Sequence, residues 1–281
     1  MPANRSIGGE LTVAIGGFGA IGAKVARALD SADPRGGIPG IRLVAISARD
    51  QDGARGRMAG MALPPPVVGL DELAGLANIV VECAPAAVFA EVAEAAVEAG
   101  KIFIPLSCGA LLQHPHLIDR AAETGARIIV PTGALLGLDA VRAASEGVIH
   151  SVHMVTRKPP NGLAGAPHLV ENNINVENLT VAKLVFEGTA RGAAKAFPAN
   201  VNVAAALSLA GNGPDNTTIE IWADPGVTRN THTINVDSDA TRFEMTIEGI
   251  PSPKNPATGL LTPLSVLATL RGLVSPLKVG T

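Results

Sequence analysis

Two groups of residues in this chain have the types and spacing that chemistry requires. The first is a lone imidazole: His232 lies in "NTHTINV" (230–236), where strand parity puts it on the same face as Ile234 and Val236. An imidazole has an unperturbed pKa of about 6.5, so it can take up or release a proton near neutrality. Parity alone favours a core histidine satisfied by a neighbouring carbonyl over a reactive one. The second group is a glycine turn, Gly17, Gly19 and Gly22 in G-x-G-x-x-G, with Phe18, Ala20 and Ile21 between them. The first glycine permits a tight turn, the second lets backbone N–H groups approach a pyrophosphate, and the third lets a helix pack closely on a strand. The pattern is weak by itself, but here it follows the apolar run "LTVAI" and opens a segment of helical periodicity. That context favours a dinucleotide site for NAD or NADP.

A carboxylate for the adenosine ribose is not evident. The second apolar run, "GIRLVAIS", leads into Ser47-Ala48-Arg49-Asp50. Arg49 can meet a 2′-phosphate with Ser47 hydrogen-bonding it, Asp50 can reach ribose hydroxyls if the loop turns back, or both charges can simply be solvated. The choice between NAD and NADP stays open. No metal centre is expected: Cys83 and Cys108 do not make a zinc ligand set, and His150 and His153, three apart on a strand, face opposite sides.

The elements that must position these groups follow from periodicity. Apolar runs at 11–15, 40–47, 79–85, 101–107 and 126–133 read as strands, with helices after the glycine turn and at 90–100 and 114–125. Such alternation predicts an α/β fold with a Rossmann-type doubly wound parallel sheet. Beyond Gly137 the texture changes: a strand at 148–160, a Pro/Gly/Asn-rich loop to about Asn175, a helix within 193–211, then alternating strands at 217–225, 230–236 and 242–250. This predicts a second α+β domain with a mixed open sheet. The expected division is a dinucleotide-binding domain over 1–137, completed by the C-terminal helix segment 255–281 with its amphipathic stretch at 262–274, and a substrate and catalytic domain over 138–254.

Composition bounds the remaining possibilities. The chain has 281 residues, long enough for two domains, and its core must be aliphatic because aromatics make up only 2%. A net charge of −3 without a Lys/Arg run gives no footprint for nucleic acid or an anionic membrane. No apolar run approaches the ~18 residues of a membrane span, and the first residues lack a signal-peptide core. Two cysteines suit a reducing compartment, so a cytoplasmic protein with a small-molecule substrate is expected.

Several blocks then resemble the L-aspartate dehydrogenase family, in the family's order: "LSCGALL", "PTGALLGLDAV", "TRKPP", "FEGTARGAAKAFPANVNVAAALSLAG", "ADP" with "RNTHTI", and "NPATGLLTPLSVLATLR". The resemblance implies that His232 is the catalytic histidine and that Ala134 and Asn202 contact the nicotinamide cofactor. It implies oxidation of L-aspartate to iminosuccinate, hydrolysed to oxaloacetate and ammonia, reversibly, with a role in supplying NAD synthesis and with a homo-oligomeric assembly. A dicarboxylate needs cationic partners, and Arg157 and Lys158 are the candidates, although an exposed loop pair is an equal alternative. Asn202, at a helix start, can instead cap its own backbone. Two departures, "NPATG" for "NPKTS" and Cys108 for a usual valine, leave room for another small acid. A dinucleotide-binding sensor without turnover is the alternative from outside enzymology.

Overall fold

The computed structural model describes residues 9–30, 36–198, 201–252 and 255–280, with 255–257 described by their backbone. Residues 1–8 and Ala199–Asn200 of the quoted blocks lie outside the described residues. The chain divides into two compact units: Met1–Ser107 with His114–Pro131 and Pro263–Val279, and Cys108–Gln113 with Thr132–Thr262 and Gly280–Thr281. The position 137 named above as a boundary thus falls inside unit 2, which already takes up the chain at Thr132.

Unit 1 opens with β1 (Leu11–Gly16), α1 (Ala20–Ala28), β2 (Ile41–Ser47), α2 (Gln51–Arg57), β3 (Val67–Val68), α3 (Leu73–Leu76), β4 (Ile79–Glu82), α4 (Phe89–Glu98) and β5 (Ile102–Pro105). The chain enters unit 2 for the single turn α5 (Cys108–Leu111) and returns for α6 (His116–Thr124) and β6 (Arg127–Ile128). The sheet order is β3-β2-β1-β4-β5-β6, and every neighbouring pair is parallel. Strands covered on both faces must be apolar throughout, and all four residues of β4 are buried. α4 buries Phe89, Val92, Ala93, Ala96 and Val97, the i, i+3, i+4 stripe of a helix on a sheet, and Gly100 past its end takes a φ of 64°. The strand expected at 126–133 shortens to two residues, because it is the edge of the sheet and Pro131 has no N–H for a ladder.

Unit 2 continues with α7 (Leu138–Ala144), β7 (Ile149–Lys158), α8 (Pro167–Glu171), β8 (Lys183–Thr189), α9 (Ala190–Ala196), α10 (Asn202–Ala210), β9 (Thr217–Ala223), β10 (Asn230–Ser238), β11 (Arg242–Gly249), β12 (Pro251–Ser252) and β13 (Asn255–Gly259). Its main sheet runs β11-β10-β7-β9-β8, mixed because β7 and β9 are parallel while the other pairs are antiparallel. The periodicity at 183–189 was overlooked, and the loop expected to reach Asn175 contains α8.

The last helix, α11 (Leu261–Val274), coincides with the amphipathic stretch 262–274, while Asn255–Gly259, grouped with it in the domain division, pairs with Pro251–Ser252. Pro256 and Gly259 in that stretch disfavour a helix. Val266 and Leu270 of α11 are fully buried in the unit 1 core with Val13, Ile15, Val25 and Ile79. No helix among the described residues is long and apolar enough to cross a membrane.

Candidate active site

In unit 1 the three glycines serve different needs. Gly17 has a φ of +104°, and a Cβ there would lie 2.5 Å from the Cys83 carbonyl oxygen. A Cβ on Gly22 would collide with the Gly17 carbonyl oxygen. Both positions are thus glycine because the protein itself fills the space. Gly19 differs: its φ of −81° and ψ of −156° suit any residue, and nothing lies within 4 Å of where a Cβ would go. The second glycine therefore keeps clear a space that the protein does not use.

Beside that space stands the start of α1, which has no side-chain cap and no acidic residue in its first turn. Its N–H groups and dipole suit a phosphate, so these residues fit a dinucleotide's pyrophosphate. Ala20 and Ile21 form the first turn of α1, while Phe18 is buried beneath the Arg57 guanidinium, 5.8 Å from the ring centre.

β1 is tied on both sides at its end. Gly17 N–H donates to the Ser47 carbonyl at 2.9 Å, and Cys83 N–H donates to that of Gly16 at 2.7 Å. Ser47 is buried and Arg49 exposed beyond it. Asp50 accepts from Gly53 N–H at 2.9 Å as the cap of α2 and lies 3.8 Å from Arg57. One carboxylate oxygen thus starts a helix, while the side chain stays exposed.

One residue here was missed altogether. Glu82 is fully buried at the end of β4; Oε1 accepts from Ala84 N–H (2.9 Å) and Ser107 Oγ (3.0 Å), and Oε2 from Ser107 N–H (3.0 Å) and Leu106 N–H (3.3 Å). Burial raises its pKa and these hydrogen bonds oppose the rise. The signal was present as a glutamate closing the apolar run "IVVE". The neighbouring Cys83 thiol is pushed well up by burial and then by the Glu82 charge, so it stays protonated and is a poor nucleophile.

In unit 2, β7, β9 and β10 share one buried face. Val152, Met154, Ile219, Ile221, Ile234 and Val236 make most of it apolar, and Thr156, Lys158 and His232 make one end polar. His232 is opposite Thr156 in the ladder, and its Nδ1 lies 3.0 Å from Thr156 Oγ1. It is 3% exposed, and its pKa is lowered to about 3, by burial first and by the charge of Lys158 second. Burial also lowers Lys158, to about 8. The imidazole is therefore neutral, with a hydroxyl fixing one ring nitrogen.

Arg157 and Lys158 do not act as a pair. Alternation sends Arg157 to the other face, where its guanidinium is 3.0 Å from Asp224 Oδ2 and 4.8 Å from the centre of the Trp222 ring. Neither is an exposed loop residue. Asn202 begins α10 without capping it; its Oδ1 accepts the Gly109 N–H at 3.0 Å and so ties α5 to α10. Ala134 lies in the turn closed by Leu135 N–H to the Thr132 carbonyl at 3.1 Å, with Gly133 at a φ of 66°. His168 is half-buried in α8, its ring centre 5.5 Å from those of Phe186 and Phe197.

Glu94, His114 and His116 come together between α4 and α6, with ligand atoms within 4.8 Å of one another. Ligands of one tetrahedral ion bound at about 2.1 Å stand only ~3.4 Å apart. His116 is instead 4.0 Å from Glu94, one turn above the Arg120–Glu98 ion pair, and His114 stacks on Phe89. These contacts account for the group as stitching of a helix seam.

A doubly wound sheet with a glycine turn, joined to a unit whose mixed sheet buries a histidine, defines a nicotinamide-dinucleotide oxidoreductase. Residues 17–131 match the family described as "Homoserine dehydrogenase, NAD binding domain", and residues 139–273 match "Aspartate dehydrogenase, C-terminal". The chain is 52% identical to an L-aspartate dehydrogenase of Bradyrhizobium diazoefficiens, over 99% of this chain and 97% of that one. It is 54% identical to L-aspartate dehydrogenase 3 of Bordetella bronchiseptica, over 97% and 98%. A crystal structure of aspartate dehydrogenase from Thermotoga maritima matches with a TM-score of 0.72 at 27% identity, over 96% of this chain and 99% of that one. The chain belongs to the aspartate dehydrogenase family.

Proposed function

We propose that the protein is an NAD(P)-dependent L-aspartate dehydrogenase. It oxidises L-aspartate to iminosuccinate, which water converts to oxaloacetate and ammonia, and it runs the reductive amination in reverse. The observation that carries this reading beyond family membership is the neutral, buried His232, held by Thr156 on the same face as Lys158.

The dinucleotide supplies the acceptor for the hydride on Cα of aspartate. Gly17, Gly19, Gly22 and the start of α1, with Phe18, Ala20 and Ile21, would hold its pyrophosphate. Ser47 and Arg49 would meet the adenosine ribose, and Ala134 and Asn202 would meet the nicotinamide. His232 takes a proton from the substrate amine and later handles the protons of the water that hydrolyses the imine; its neutral form is the one that accepts. Thr156 orients the ring through Nδ1. Lys158, whose pKa of about 8 leaves it mostly charged at neutral pH, receives a substrate carboxylate, and the bound anion favours the ammonium further. Arg157, engaged with Asp224 and Trp222, is left out of the clamp.

We place the enzyme in the cytoplasm as a homo-oligomer, supplying iminosuccinate for nicotinamide cofactor synthesis. Two free cysteines suit the reducing compartment, and light scattering tests the assembly. The activity itself is tested by following nicotinamide absorbance with L-aspartate and either NAD or NADP, beside a blank without amino acid and a panel of other small acids. Reduction with aspartate is the expected result, and the NAD to NADP ratio reads Arg49. Turnover confined to another acid, or dinucleotide binding without turnover, overturns the assignment.

A further inference from the structure

The carboxylate of Glu82 has no part in the chemistry above. It ends β4 level with Gly16 of β1, where the sheet order passes from β2 on one side of β1 to β4 on the other. In open parallel sheets the ligand lies in the crevice beyond the strand ends at this switch point. The four hydrogen bonds to Glu82 come from three backbone N–H groups and one hydroxyl. Three of these donors are backbone N–H groups, which cannot turn round to accept, so they favour the ionised carboxylate; the Ser107 hydroxyl, also 3.5 Å from the Ala84 carbonyl, can serve either form. Its charge is thus held by amide dipoles, and no basic side chain is among these partners, so its field extends into the crevice.

We propose that Glu82 is an electrostatic selector that favours the oxidised, positively charged nicotinamide over the reduced, neutral one. The inference rests on the dinucleotide reading of the glycine turn. The two redox forms share the same pyrophosphate and adenosine, so the effect of Glu82 on those parts cancels in the ratio of their affinities. What remains is one unit of charge on the ring. Unit charges separated by on the order of 10 Å at an effective dielectric of ~20 attract one another enough to change a binding ratio about tenfold, which sets the size of effect to look for. A purely structural role, holding the turns at Ala84 and Ser107, would weaken both forms alike.

The test is calorimetric titration of the wild type and E82Q with the oxidised and reduced forms of whichever dinucleotide binds better. The amide can turn its carbonyl oxygen toward the Leu106 and Ser107 N–H groups and its NH2 toward Ser107 Oγ, so most of the bonds survive the substitution. The ratio Kd(reduced)/Kd(oxidised) is expected to fall about tenfold in E82Q. An unchanged ratio, with or without equal weakening of both forms, overturns the proposal. If E82Q does not fold, the wild type decides: tighter binding of the oxidised dinucleotide supports the selector, and equal or tighter binding of the reduced form overturns it. Failure of the wild type to bind either form would instead overturn the reading of the glycine turn, and this inference with it.

Discussion

Glu82 in unit 1 and the His232–Lys158 pair in unit 2 are almost equally hidden from water, yet their surroundings treat charge in opposite ways. Burial raises the Glu82 pKa, and three backbone N–H groups with a hydroxyl oppose that rise. His232 and Lys158 are two bases on one sheet face, and burial together with the charge of Lys158 drives the imidazole neutral. The first arrangement gathers donors around an acid, whereas the second keeps the Lys158 ammonium and withholds a charge from the imidazole beside it. The difference shows how an α/β sheet and a mixed sheet build sites: one from the amides at its strand ends, the other from side chains that alternation brings to one face.

The largest expected effect tests the withheld charge. His232→Ala should lower kcat by about 10²–10⁴, the usual loss for a positioned acid–base group, with dinucleotide affinity within about twofold of wild type. A kcat near wild type would make the ring a core residue after all.

Lys158→Met should lower kcat/KM for aspartate by about 30- to 1,000-fold, mostly through KM, the range for removing one partner of a buried charge contact. Arg157→Met should change it by less than about threefold in the same assay. Equal losses would mean that strand alternation does not separate the two cations in the working enzyme.

Stability against pH reads the same face without turnover. The folded pKa of His232 lies near 3, below its unfolded value of about 6.5, so the unfolded chain binds the proton first as pH falls. The stabilisation is complete above about pH 6.5 and is lost progressively down to pH 3, amounting to about 2 kcal/mol between pH 7 and 5. Urea titrations should show that loss in the wild type and a shallower decline in His232→Ala. An identical slope in both would argue against a buried neutral imidazole.

The smallest effect separates ligand from fold in unit 1. Gly19→Ala fills empty space at an unstrained backbone, so Tm should hold within about 2 °C while dinucleotide affinity drops by about tenfold. A fall in Tm with affinity intact would show that the second glycine serves the protein itself.

How far the chain could be read follows the same division. The parallel sheet was legible because its strands are continuous apolar runs divided by helical stretches, and the glycine turn because backbone crowding leaves no other residue type at Gly17 and Gly22. The last helix was legible at 262–274 from its periodicity, whereas the stretch at 255–259 grouped with it is a strand paired with β12 a few residues upstream, too short to show a period of its own. Asn202 looked like a cap because propensity is local, while its actual partner, Gly109, is 93 residues away.

By itself the sequence determined the order of elements, the face on which His232 sits and the place of the glycine turn, since these depend on periods of two and 3.6 residues and on steric exclusion. Tertiary structure alone decided that Thr156 faces His232, that Lys158 and not Arg157 shares its face, and that Glu82 keeps a buried carboxylate at the end of β4. Those outcomes depend on strand register and on donors brought from distant loops, which no local pattern encodes.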